Sequence, residues 1–164
     1  MGPGLRRLIS PAILACLTTG SALAAGVPPA VDLAADARLM REKRLPMLVF
    51  FSRNGCPWCE QARREYIGPL AANPDTRALV RQVDVDRDTP LMDFAGKRTS
   101  HRAFASAHEI RLAPTLMFFG PEGEMVAETI VGFRLADFYG AYIDEALAVS
   151  RGRLGGGEPA PPPR

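Results

Sequence analysis

The sequence predicts an α/β domain: a central mixed sheet with helices on both faces. Three observations carry this expectation. Two continuous apolar runs, "PMLVFFS" at 46–52 and "PTLMFF" at 114–119, have the composition and length of fully buried strands. Helical periodicity precedes the first run and follows the second. The order of elements is helix, strand, helix, strand, helix, strand, strand, helix, which begins with βαβ logic and ends as a hairpin plus a helix.

Each element has its own signal. From 31 to 44, Leu33, Ala37, Leu39 and Met40 stand among charges, with Asp32 placed early, so an extra N-terminal amphipathic helix is expected before the first strand. After the run at 46–52, "EQARREYIGPL" predicts a helix that Gly68-Pro69 interrupts or ends. A second short helix is expected from Asp75 to Val80. "RQVDVD" at 81–86 alternates polar and apolar, as a half-buried strand does. "TPLMDFAGKRTS" reads as irregular, with a turn at Ala95-Gly96. Thr99 or Ser100 can cap a helix reaching His108. Gly120 to Gly123 forms a turn after the run at 114–119, and "EMVAETIV" supplies the returning strand. The last helix is expected from Leu135 to Val149, with Leu135, Phe138, Tyr142, Ala146 and Val149 on one face.

Both ends read as lying outside the folded domain. Arg6 and Arg7, the apolar stretch Leu8 to Leu17 and the small-x-small triplet Ala22-Leu23-Ala24 have the layout of a secretory signal peptide over 1–24. Its apolar run falls short of the roughly 20 residues needed to span a bilayer. Export to the periplasm with cleavage near Ala24 is the expectation, and lipidation at Cys16, within "ILAC", is the lesser alternative. The Gly- and Pro-rich stretch 151–164 has one aliphatic residue and is expected to be a disordered tail. One domain then covers 25–150.

Charge narrows the function classes. The leader takes two of the 20 basic residues and none of the 18 acidic ones, so the mature chain is formally neutral. Nothing in that balance points to nucleic acid or to an anionic membrane surface.

The chemistry concentrates in "NGCPWCEQ", 54–61. Cys56 is expected at a helix N-terminus, where the partial positive charge favours thiolate, and Pro57 suits the first helical position. Cys59 lies one turn deeper on nearly the same face. An exposed thiolate that attacks and a deeper thiol that resolves are what thiol–disulfide exchange requires. Zinc usually needs four ligands, and the two histidines, His101 and His108, are seven apart on one predicted helix, roughly 10 Å along its axis. A c-type haem needs His after the second cysteine, where this chain has Glu60. A structural disulfide closing so short a loop gains little entropy. A redox pair is the simplest reading.

The second half of the chain adds a resemblance. "EIRLAPTLMFFGPEGEMVAETIVGF", 109–133, together with the CxxC, resembles thioredoxin over about 44–149. The resemblance implies the thioredoxin fold with its mixed four-stranded sheet, a Cys56–Cys59 redox-active disulfide, and Pro114 as a cis-proline beside it. Pro57, Trp58, Ala113 and Gly132 would line the substrate groove with Pro114. It implies no cofactor and no metal, a monomer acting on protein disulfides, and a membrane thiol electron donor. The extended "VDVDRD…MDFAGKR" region is similar to single-domain periplasmic thioredoxin-related proteins such as those of sulfur-oxidation clusters. The implied activity is that of a protein disulfide reductase, with a disulfide oxidase as the same chemistry reversed. A Cu(I)-binding metallochaperone using Cys56 and Cys59 is the rival from another class.

The chain departs from thioredoxin in places. Phe50 stands where thioredoxin has a buried Asp six positions before the first cysteine, and Gln82 is the nearest counterpart of its lysine. Glu60 is the candidate replacement for proton transfer at Cys59. The inner pair is Pro57-Trp58 in place of Gly-Pro.

Overall fold

The computed structural model describes residues 26–133 and 136–155. The expected signal peptide, Cys16 and most of the expected tail lie outside the described residues.

Helix α1 (Leu33–Lys43) forms as its pattern predicts: Asp32 caps it, its carboxylate accepting from the Ala35 N–H at 2.8 Å, and Leu33, Ala37 and Met40 are buried. Strand β1 (Met47–Ser52) is buried at every position. It is the central strand. On one side it pairs in parallel with β2 (Leu79–Asp84), and on the other it runs antiparallel to β5 (Thr115–Phe119). Strand β6 (Ile130–Val131) completes the order β2-β1-β5-β6. This is the mixed four-stranded sheet that the sequence predicts, flanked by helices and with an extra helix ahead of β1.

Because strand side chains alternate between faces, the run at 47–52 feeds two cores. Leu48 and Phe50 join Cys59, Ala62, Leu116, Phe118, Tyr139 and Ile143 on one face. Met47, Val49 and Phe51 join Leu33, Met40, Phe104, Met117 and Phe119 on the other. The segment ahead of α1 extends the β2 edge: Ala30 N–H donates to Gln82 O, and Gln82 N–H donates to Pro28 O, both at 2.8 Å.

Several expectations need correction. Gly68-Pro69 interrupts its helix without ending it. Helix α2 (Pro57–Ala62) passes into a π-helical turn (Arg63–Ile67), with Gly68 N–H reaching Arg63 O, and resumes as α3 (Gly68–Ala72). A π turn shifts the hydrogen-bond register, which suits a proline that has no N–H to give.

No helix forms from Asp75 to Val80. An Asx turn at Asn73, with its side chain accepting from Asp75 N–H, leads into β2, and Leu79 N–H pairs with Pro46 O. Pairing with β1 outweighs local propensity there. The stretch at 89–100 contains a hairpin, β3 (Pro90–Met92) with β4 (Arg98–Ser100), turning through Gly96 at φ 77°.

The return strand is shorter than "EMVAETIV". Val126 N–H reaches Phe118 O, and the chain then leaves the ladder until Ile130. Helix α4 (His101–Ala107) is capped by Ser100. Helix α5 (Ala136–Leu154) runs four residues into the stretch expected to be a disordered tail, so the domain ends later than 150. Basic Arg151 and Arg153 occupy its last turn, where they complement the helix dipole.

Candidate functional site

The site forms where β1 ends and α2 begins. Ser52 closes the strand, Arg53 to Gly55 turn the chain, with Gly55 at φ 68°, and Cys56 caps α2 in an extended conformation. Asn54 N–H points at the Asp86 carboxylate, with its two oxygens at 3.3 and 3.4 Å, which ties the turn to the segment after β2.

Cys56 and Cys59 are joined as a disulfide, with Cα atoms 5.2 Å apart. The two sulfurs are not equivalent. Cys56 is only partly buried, whereas Cys59 is fully buried in the core beneath α2. The backbone N–H of Cys59 points at Cys56 Sγ from 3.1 Å. In the reduced state that N–H favours a thiolate at Cys56, as does its place at the helix start.

The other residues implied by the resemblance gather round this pair. Ala113 O lies 3.7 Å from Cys56 Sγ. The Ala113–Pro114 peptide bond is cis, and Pro114 is buried. Gly132, at φ 76°, donates its N–H to Pro114 O at 2.8 Å. Pro57 occupies the first turn of α2 and is exposed. Trp58 is 60 % exposed, and its ring stacks on Phe133 with centroids 6.3 Å apart. Ala113, Pro114 and Gly132 thus lie together beside the Cys56 sulfur, with Pro57 and Trp58 exposed on the turn of α2 that follows it.

Phe50 is buried on the core face it shares with Cys59, so no carboxylate stands there. Gln82 does approach the site: its Oε1 accepts from Arg63 Nε at 3.1 Å, and its amide donates to Asp84 at 2.7 Å. Glu60 is exposed and ion-paired with Arg63. Two residues were missed in the sequence. Phe133 supports Trp58, and its signal was its place directly after Gly132. Arg63 reaches from the start of the π-helical turn to Ser52 Oγ at 2.8 Å, and its signal was its position one turn beyond Cys59.

The two histidines have structural surroundings. His101 is buried; Asp84 N–H donates to its Nδ1 at 3.0 Å, and its Nε2 bonds Ala30 O at 2.7 Å. His108 packs edge-on against Phe104 and Phe119, and burial lowers its pKa from the ordinary value. Among the described residues no cluster of three or more His, Cys, Asp or Glu side chains is placed to hold a metal ion.

Comparison with known proteins agrees with this fold. A family described as thioredoxin-like domain matches residues 33–147. No curated protein sequence matches the chain significantly. Among solved structures, the short form of spinach chloroplast thioredoxin f is 15% identical and superposes with a TM-score of 0.51, covering 78% of this chain and 96% of that one. A poplar thioredoxin h is 20% identical, with a TM-score of 0.49 over 67% of this chain and 84% of that one. With a matched family spanning most of its length and a CxxC disulfide at the turn from β1 to α2, this chain belongs to the thioredoxin-like family.

Proposed function

We propose that this chain is an exported thiol–disulfide oxidoreductase that reduces protein disulfides. The observation that carries the reading is the asymmetry of the pair: Cys56 half-open at a helix start, Cys59 fully enclosed one turn on. In the reduced protein the Cys56 thiolate attacks one sulfur of a substrate disulfide. A mixed disulfide forms, and the other substrate sulfur leaves with the electron pair and takes a proton from solvent. Cys59, as thiolate, then attacks Cys56 Sγ. The Cys56–Cys59 bond forms, the mixed disulfide breaks, and the substrate departs as a dithiol. Two electrons have moved from the pair to the substrate.

The exposed Trp58 face and the Ala113–Pro114 edge would receive the substrate chain. The leader pattern at 1–24 supports export to the periplasm, where a membrane thiol donor would restore the dithiol. The test is stoichiometric reduction of a model protein disulfide by the dithiol form, followed by equilibration against glutathione. Loss of reduction in Cys56→Ser and an equilibrium on the reducing side support the proposal. Full activity in Cys56→Ser refutes the site, and an equilibrium strongly favouring the dithiol refutes the direction.

A further inference from the structure

Resolution asks something difficult of Cys59. Its sulfur must lose a proton before it can attack, yet it lies fully buried among Phe50, Ala62 and Leu116. Burial in apolar surroundings opposes a thiolate. A nearby positive charge would offset that cost.

Arg63 is placed to supply it. It lies one turn beyond Cys59, and its own N–H bonds Cys59 O. Long side chains on a helix lean back toward its N-terminus, so Arg63 runs along the turn that carries Cys59. Its guanidinium is fixed from several sides: Nη2 donates to Ser52 Oγ at 2.8 Å, Nε donates to Gln82 Oε1 at 3.1 Å, and Nη1 meets the Glu60 carboxylate. Its Cζ stands 5.5 Å from the centroid of the Phe50 ring, the same ring that packs in the core with Cys59. Only 21% of the side chain is exposed. The cation is therefore wedged between α2 and the β1–β2 face. It borders a cleft of about 380 Å³ whose charged groups are Arg53, Glu60, Arg63, Asp84 and Arg87. Within the same core sits Tyr139, with Tyr66 packed against it.

We propose that Arg63 is a positioning residue that stabilises the Cys59 thiolate during resolution. The proposal rests on the thiol–disulfide reading above. The Cys59 proton passes to solvent water. The anion left behind is held by the Arg63 charge, and it then attacks Cys56 Sγ as described. Glu60 tempers that charge and is not the proton acceptor.

The test uses the mature chain in a Cys56→Ser background, where Cys59 is the one thiol of the pair, titrated by thiolate absorbance. Arg63→Gln is expected to raise the titration midpoint by on the order of one pH unit, about tenfold less thiolate below the midpoint. Arg63→Lys retains most of the wild-type behaviour. Glu60→Gln, at an exposed position, shifts the midpoint the opposite way by a smaller amount. With both cysteines present, Arg63→Gln moves the pH profile of mixed-disulfide resolution to higher pH and leaves its high-pH plateau unchanged.

An unmoved midpoint in Arg63→Gln overturns the proposal. So does slower resolution in Glu60→Gln, which would make Glu60 the proton acceptor. Absence of exchange in the wild-type chain would refute the oxidoreductase reading instead, and the thiol titration would still decide the role of Arg63.

Discussion

Replacing His101 with Ala should cost about 3–5 kcal/mol of folding stability, summing a small cavity and two stranded hydrogen-bonding groups. His101 is 1% exposed, and both ring nitrogens are engaged. Because the Asp84 N–H donates to Nδ1 at 3.0 Å, the ring proton must sit on Nε2, which donates to Ala30 O at 2.7 Å. One imidazole therefore joins three parts of the fold: α4, the end of β2, and the segment that extends the β2 edge. Alanine leaves the Asp84 N–H and the Ala30 carbonyl without that partner, at about 1–3 kcal/mol for each group that stays dry. Against a domain stability of about 5–15 kcal/mol, the loss is a large fraction. Urea unfolding at pH 7.5 measures it. Amide exchange localises it: the Ala30 and Gln82 N–H groups, which tie the segment to β2, should lose protection before the β1–β5 ladder does. A cost under about 1 kcal/mol, with Ala30 and Gln82 still protected, would refute the strut.

Three further predictions follow from the geometry. Cys59→Ser should accumulate a mixed disulfide between Cys56 and a protein substrate, seen as a reducible adduct on a gel, because the buried resolving sulfur is gone; turnover at the wild-type rate would show that Cys59 is not the resolver. Burial lowers the His108 pKa from 6.5, so its neutral form is favoured in the fold and its contribution is fully present only above pH 6.5, then lost as pH falls through the folded value. On acidification from pH 7.5 to 5, wild type should therefore lose more denaturant resistance than His108→Gln, and equal losses would refute the assignment. The Tyr139 hydroxyl is buried without a partner among the described residues, and burial raises its pKa; Tyr139→Phe should be neutral or stabilising by up to about 1 kcal/mol in thermal unfolding, and a clear destabilisation would reveal a hidden partner.

The centre of the sheet was legible because its two inner strands are unambiguous. The runs at 46–52 and 114–119 are apolar on both faces, and the structure buries every residue of β1 and β5. The caps were legible for the same local reason: Asp32 and Ser100 each accept the N–H three residues on. What local sequence did not reveal was set by distant partners. Leu79 and Val80 end the stretch that reads as a short helix from Asp75, and they become strand because β1 offers Met47 and Leu48 beside them. Strands β3 and β4 have three residues each, too few for alternation to show. Arg151 to Leu154 looked like the start of a solvated tail, yet α5 continues through them.

The candidate site divides along the same line, and the division explains its chemistry. The cysteine spacing alone places Cys56 before the first turn and Cys59 inside it, so the difference in exposure is a consequence of helix geometry. The electrostatics are not local. Phe50 shows only that a strand position facing Cys59 is apolar. Whether that leaves the buried sulfur without charge support depends on what crosses from the helix to the strands. The crossing group is Arg63, held at Ser52 and Gln82, residues 11 and 19 positions away in the chain. Strand alternation puts Phe50 and Ser52 on one face, so the same register that buries Phe50 above the core presents Ser52 to the guanidinium. The apolar residue and the cation are thus parts of one arrangement. The cation rests on the Phe50 ring, and a substitution at Phe50 would disturb the guanidinium as well as the packing around Cys59.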